Sequence, residues 1–192
     1  MKHATFHRGF LWAALVAALG AGFPLGAHLT FVIGFGFSIS AGYTSFVQTH
    51  GHVQLVGWAG LFVMGISLHF IPRLAGVPIA RPQWLSRLVW LMAAGLTMRT
   101  CGHAIVTYLH GHATYPLVAW LLVFSGLLEW LAVACYVCIL YSLRRGVVDV
   151  SQRPALLAVR PYFGMMASGW LLYASLNLVL LVHMGLTSGV IL

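Results

Sequence analysis

HGHVQLVGWAGLFVMGISLHFIPRLAG, residues 50–76, is the stretch that decides the fold. Between His52 and Arg73 it holds no Asp, Glu, Lys or Arg, and Pro72 and Gly76 mark its close. A helix needs about 20 mostly apolar residues to cross a bilayer, so the run reads as a membrane span over about 49–71. Working outward, four more runs qualify, at about 10–33, 84–109, 115–143 and 161–183. The expected fold is therefore all-α: one polytopic helical bundle of five spans filling residues 1–192, with no internal repeat or dividing linker. Prolines punctuate it. Pro24 is a candidate kink, Pro72, Pro78 and Pro82 fall between spans two and three, and Pro116 and Pro161 open spans four and five. Residues 34–48 are apolar but rich in Gly and Ser, and read as a surface-lying loop or an extension of the first helix.

Composition agrees. The chain is 61% apolar and 6% charged, against roughly a quarter charged in soluble domains. Two acids, Glu129 and Asp149, face ten Lys and Arg, for a formal charge of +8. On a soluble chain that balance would suggest nucleic acid. Here the cations sit in short connections between apolar runs, which excludes that class. The apolar run from Phe10 continues past Ala27, so it reads as an uncleaved anchor helix rather than a signal peptide. Cys101, Cys135 and Cys138 all lie inside apolar runs and make no disulfide framework.

The basic residues also predict orientation. Lys2 and Arg8 precede the first span. Arg73, Arg81 and Arg87 follow the second, and Arg144, Arg145, Arg153 and Arg160 follow the fourth. The alternate connections and the tail after His183 hold no Lys or Arg. By the positive-inside rule the N-terminus is expected in the cytoplasm and the C-terminus outside, as in a multi-pass protein of a bacterial inner membrane.

That orientation places His28, His50, His52, His103, His110, His112 and His183 toward the outer face, with His3, His7 and His69 on the other side. Membrane-depth histidine usually faces the bundle interior with a partner, and neutral imidazole is a metal and haem-iron ligand. The candidate cofactor-binding residues are His50, His52, His103, His28, His183 and Arg99, with His50, His52 and His103 as candidate metal ligands. At about 100° per residue, His50, Gln54, Gly57, Leu61, Gly65 and Leu68 share one stripe, open to another helix or a flat macrocycle, with Gly60 to one side. His52 points nearly opposite, so the two cannot grip one metal from a continuous helix, and geometry favours His50. His110 and His112 read as interfacial residues.

Arg99 and Glu129 fall at similar mid-membrane depth and are expected to form an interhelical ion pair, with proton relay or contact with a haem propionate as the functional alternatives. Cys135 and Cys138 share a helix face and read mainly as small hydrophobes, with copper or redox chemistry the lesser reading. Asn177 is expected to hydrogen-bond across helices, and Gly164 and Ser168 to form a helix-contact face.

The 50–76 stretch resembles the second transmembrane helix of haem–copper oxidase subunit I, in which a histidine opening the helix ligates low-spin haem. It resembles more closely the NnrS family of haem- and copper-containing membrane proteins linked to nitric oxide metabolism. The corresponding features are FHRGFL at 6–11, His50-Gly51-His52-Val53, the Pro72 to Gly76 turn and Arg81-Pro82. The oxidase resemblance implies a haem ligand at His50, and the NnrS resemblance gives weight to both His50 and His52. Val53 stands where the NnrS pattern has glutamate, and both families have about twice as many spans. The later oxidase helices, with the second haem ligand and the copper-site histidines, have no counterpart.

The expected function is a haem-binding membrane protein, with haem b as cofactor and copper as a further candidate. Electron transfer with a periplasmic partner, or binding of nitric oxide, would follow. The second axial ligand would come from His28, His103 or His183, or from another copy of the chain. Two other readings stand beside it: a non-catalytic subunit or assembly factor of a respiratory complex, and a copper- or zinc-handling protein using the outer histidines.

Overall fold

A computed structural model describes residues 7–38, 42–145 and 154–187 of the chain. Lys2, His3, Asp149 and Arg153 lie outside the described residues. Every regular element among them is helical, in five rods. Helix α1 is Arg8–Phe35 and α2 is Gly42–Ala75. Helix α3 is Gln83–Val106, α4 is Tyr115–Arg145 and α5 is Pro154–Leu186.

Four segments are long and apolar enough to cross a membrane: Arg8–Phe35, Gly42–Ala75, Tyr115–Leu143 and Arg160–Leu186. The chain is thus a helical membrane protein. Helix α3 is not among the four, although it was expected to span. Its Arg87, Thr97, Arg99, Thr100 and His103 dilute its apolar character. It occupies the middle of the bundle, burying Leu85, Leu88, Met92, Leu96, Arg99 and His103 at helical spacing, and packs chiefly along α4.

Two rods contain stretches of wider, π-helical winding, Ala18–Gly22 in α1 and Val53–Gly60 in α2. Such turns carry i→i+5 bonds and locally shift which residues face a neighbour. In α1 the wide stretch ends just before Phe23-Pro24, so Pro24 falls in the opening turn of the α-helical segment that follows. Helix α2 continues through Pro72 and ends at Gly76, whose φ of 64° few other residues adopt readily. Bonds from Gly76 N to Arg73 O and from Val77 N to Pro72 O satisfy its last carbonyls.

The small stripe on α2 receives α1. A Cβ on Gly65 would lie 2.7 Å from the Cβ of Phe10, and one on Gly57 would lie 3.0 Å from Ala17. Gly60, off that stripe, instead meets the Trp170 ring of α5 at 2.8 Å. Below this contact Phe10, Met64, Met92 and Tyr136 form a core with 0% exposure. The Tyr136 hydroxyl is 2.6 Å from Ser67 Oγ, so its polar end is satisfied.

Several expectations change here. Of residues 34–48, Gly34 and Phe35 do extend α1, but 42–48 belong to α2, which begins at Gly42. Packing holds the helix there: Gly42, Ser45, Thr49 and His52 are buried at helical spacing, and this part of α2 lies against α3. Helix α5 starts earlier than expected, at Pro154, while Pro161 opens its apolar span, Arg160–Leu186, as expected. Gly164 and Ser168 are exposed, and a Cβ on Gly164 would meet nothing within 4 Å, so they pack against no helix among the described residues.

Candidate functional site

Two polar regions flank α2. The first lies between α2, α3, α4 and α5 and is almost sealed: His52 is 7% exposed, Arg99 7%, His103 5% and Glu129 5%. His52 Nε2 is 2.9 Å from Glu129 Oε2, and its Nδ1 is 3.1 Å from the Tyr173 hydroxyl. With the carboxylate ionised, Nε2–H donates to Glu129 and Nδ1 accepts from Tyr173. Both imidazole nitrogens are committed. The close approach of α3 and α4 that permits this depends on Gly95, where a Cβ would sit 2.8 Å from Glu129 Cγ.

The expected Arg99–Glu129 ion pair does not form. Glu129 turns one oxygen to His52 and leaves Oε1 without a partner, and Arg99 Nε and Nη1 are buried and unpartnered as well. The arginine feels the Glu129 charge only across space. His103 completes the region: Ser45 Oγ donates to the His103 carbonyl at 2.5 Å and lies 3.5 Å from its Nδ1. Asn177, expected to bond across helices, has a buried Oδ1 with no partner.

The second region is His50 against α1. Its Nδ1–H donates to the Gly22 carbonyl at 2.9 Å, and its ring lies over Gly26, where a Cβ would meet Cε1 at 2.8 Å. Gln54, one turn on, packs against Gly22, and its Oε1 is buried without a partner. His28 lies on the same flank with its ring edge toward Phe46, at 5.7 Å between centroids, and is exposed. His183 is exposed on α5. His110, next to Tyr115, and His112 are exposed in the connection before α4.

The six candidate cofactor residues therefore separate. His52, His103 and Arg99 share the sealed region, His50 and His28 share the α1 flank, and His183 stands apart. As expected from helical rotation, His50 and His52 face opposite halves of the bundle. The three candidate metal ligands are not brought together, and no group of three or more His, Cys, Asp or Glu side chains placed to hold a metal ion occurs among the described residues. Cys101 and Cys138 are exposed and Cys135 half-buried, all as free thiols. Sequence reasoning missed Tyr173. A tyrosine in an apolar run carries no charge to mark it, and only its position opposite His52 reveals its part.

The fit to haem is specific in one respect and limited in another. A liganding imidazole commonly donates its other N–H to a carbonyl, which fixes the ring and frees the remaining nitrogen. His50 has that arrangement and His52 does not. Beneath His50, however, the small stripe is filled by α1, so a macrocycle on His50 would lie toward the end of the bundle where His28 and Phe46 are found. No family model matches the chain, and no curated protein or solved structure shows significant similarity to it.

Proposed function

We propose that this chain is a haem-binding membrane protein of a bacterial inner membrane in which His50 supplies one axial ligand. The observation that carries the reading is the His50 Nδ1–H bond to the Gly22 carbonyl, which leaves Nε2 as the free imidazole nitrogen. It agrees with the implication drawn from the NnrS-like and oxidase-like stretch at 50–76, and it selects His50 over His52. The proposal includes α3 as a fifth span, with the N-terminus cytoplasmic and the C-terminus outside, following the alternation of Arg and Lys along the chain.

Bound haem would supply one-electron chemistry or a site for a diatomic gas such as nitric oxide. The protein would hold the ring of His50 by Gly22 and Gly26 and keep the iron near the periplasmic side, within reach of a redox partner. The second ligand comes from His28 on the same flank or from another copy of the chain. This reading leaves aside His103, on the sealed side of α2, and His183, which is exposed on α5.

The test is the visible spectrum of the detergent-purified protein before and after reduction. The proposal predicts a Soret band and a sharp α band, retained in His112→Ala. A colourless preparation with stoichiometric copper or zinc would favour metal handling, and one with neither a scaffold subunit; either would overturn the haem reading.

A further inference from the structure

Along the side of the bundle where α1 meets α3, two cavities of about 530 and 240 Å³ share Ala13, Val16 and Ala93 and so make one furrow. It begins at Arg8 and Ser86 and runs down to Ala21 and Cys101. At 1.5 Å per residue that is about 20 Å, more than one leaflet of a hydrocarbon core about 30 Å thick. Its walls are small where α1 and α3 approach, with Gly9, Ala17 and Gly20 among them, and Val53 and Leu61 of α2 line its deep part. Thr97 and Thr100 line it as well, but their hydroxyls donate to Ala93 O and Leu96 O, so they present little polarity.

The mouth is different in kind. Arg8 and Ser86 both line it, with no acidic side chain among the lining residues. His7 also lines it, but burial holds its imidazole below the usual histidine range, so the positive charge is that of Arg8. Arg87 is turned over the Trp84 ring at 4.9 Å. Trp12 and Trp90, 65% and 75% exposed, stand at the same end, the amphipathic side chains that settle at headgroup level.

We propose that this furrow is a specific site for an anionic phospholipid of the surrounding bilayer. The phosphate is held at Arg8 and Ser86, and one acyl chain lies along α1 and α3. A cation and a hydroxyl above a smooth, narrow, one-leaflet slot match a charged head on a hydrocarbon tail. The site is independent of His50 and of any haem.

The experiment is native mass spectrometry of the full chain in detergent, titrated with phosphatidylglycerol and with phosphatidylcholine of matched acyl chains. The first phosphatidylglycerol adduct is expected at several-fold lower lipid concentration than the first phosphatidylcholine adduct. Arg8→Gln should lower that preference roughly fivefold, the effect of one basic residue at an anionic surface, and Arg160→Gln should leave it unchanged. Ala93→Phe, which fills the furrow and keeps Arg8, should weaken the first adduct of both lipids, with helical content verified by circular dichroism. Equal retention of the two lipids, a preference that survives Arg8→Gln, or an Ala93→Phe protein that is folded and binds as before would each overturn the proposal. So would displacement of phosphatidylglycerol by an isoprenoid quinone at equal concentration.

Discussion

His50 and His52 sit two residues apart on α2 and meet opposite halves of the molecule. His52 is closed in by α4 and α5 with both nitrogens bonded. His50 rests on the backbone of α1 with one nitrogen bonded. Their burial differs in the same sense: His52 is 7% exposed, whereas His50 is only half-buried. An imidazole whose bonding capacity is exhausted within the protein stabilises it, and one left with a free nitrogen at a loosely covered flank is available to a ligand. His50 and His52 are two residues apart on one helix, so what distinguishes them is the number of ring nitrogens left without a partner, and the proposed role of His50 rests on that difference.

The largest test of this contrast is on stability. Glu129→Ala takes the acceptor from His52 Nε2–H and leaves the buried Arg99 with no opposite charge near it, and leaving a buried charge uncompensated costs about 3–5 kcal/mol. His50→Ala removes one half-buried hydrogen bond and should cost about 1 kcal/mol. Thermal unfolding in detergent separates the two; equal losses would erase the distinction between the halves.

A double-mutant cycle sharpens it. Residues in direct contact couple by about 0.5–3 kcal/mol, so His52→Ala with Glu129→Ala should show coupling in the upper part of that range. Arg99→Ala with Glu129→Ala should couple more weakly, because no hydrogen bond joins them. A larger Arg99–Glu129 coupling would mean that Glu129 spends its time on the arginine. Smaller still, Tyr173→Phe should cost about 1 kcal/mol through the lost bond to His52, with no effect on any ligand at His50.

Much of the architecture was legible in the sequence because bilayer thickness sets a length that apolar runs either reach or miss. Five helices, the close of α2 at Pro72 to Gly76 and the opposed directions of His50 and His52 all follow from run length, Gly and Pro placement and helical rotation. The start of α2 at Gly42 was not legible, since the Gly- and Ser-bearing segment 34–48 reads as a break although most of it is helical. The sealed site was half legible. Arg99 and Glu129 announce themselves as buried charges, but their depths agree with pairing while their side chains do not meet. Which histidine takes the carboxylate depends on the rotation of α4 against α2, and Gly95 and the wide winding at Val53–Gly60 help set that contact. No single-helix pattern contains it. Asn177 and Tyr173 depend likewise on inter-helix register.

The most direct measurement compares reduced visible spectra of His50→Ala and His52→Gln, the latter chosen because its amide can still donate to Glu129. The account predicts that His50→Ala loses the sharp α band and most bound haem while remaining folded, and that His52→Gln keeps both. Haem retained in His50→Ala and lost from an equally folded His52→Gln would contradict it.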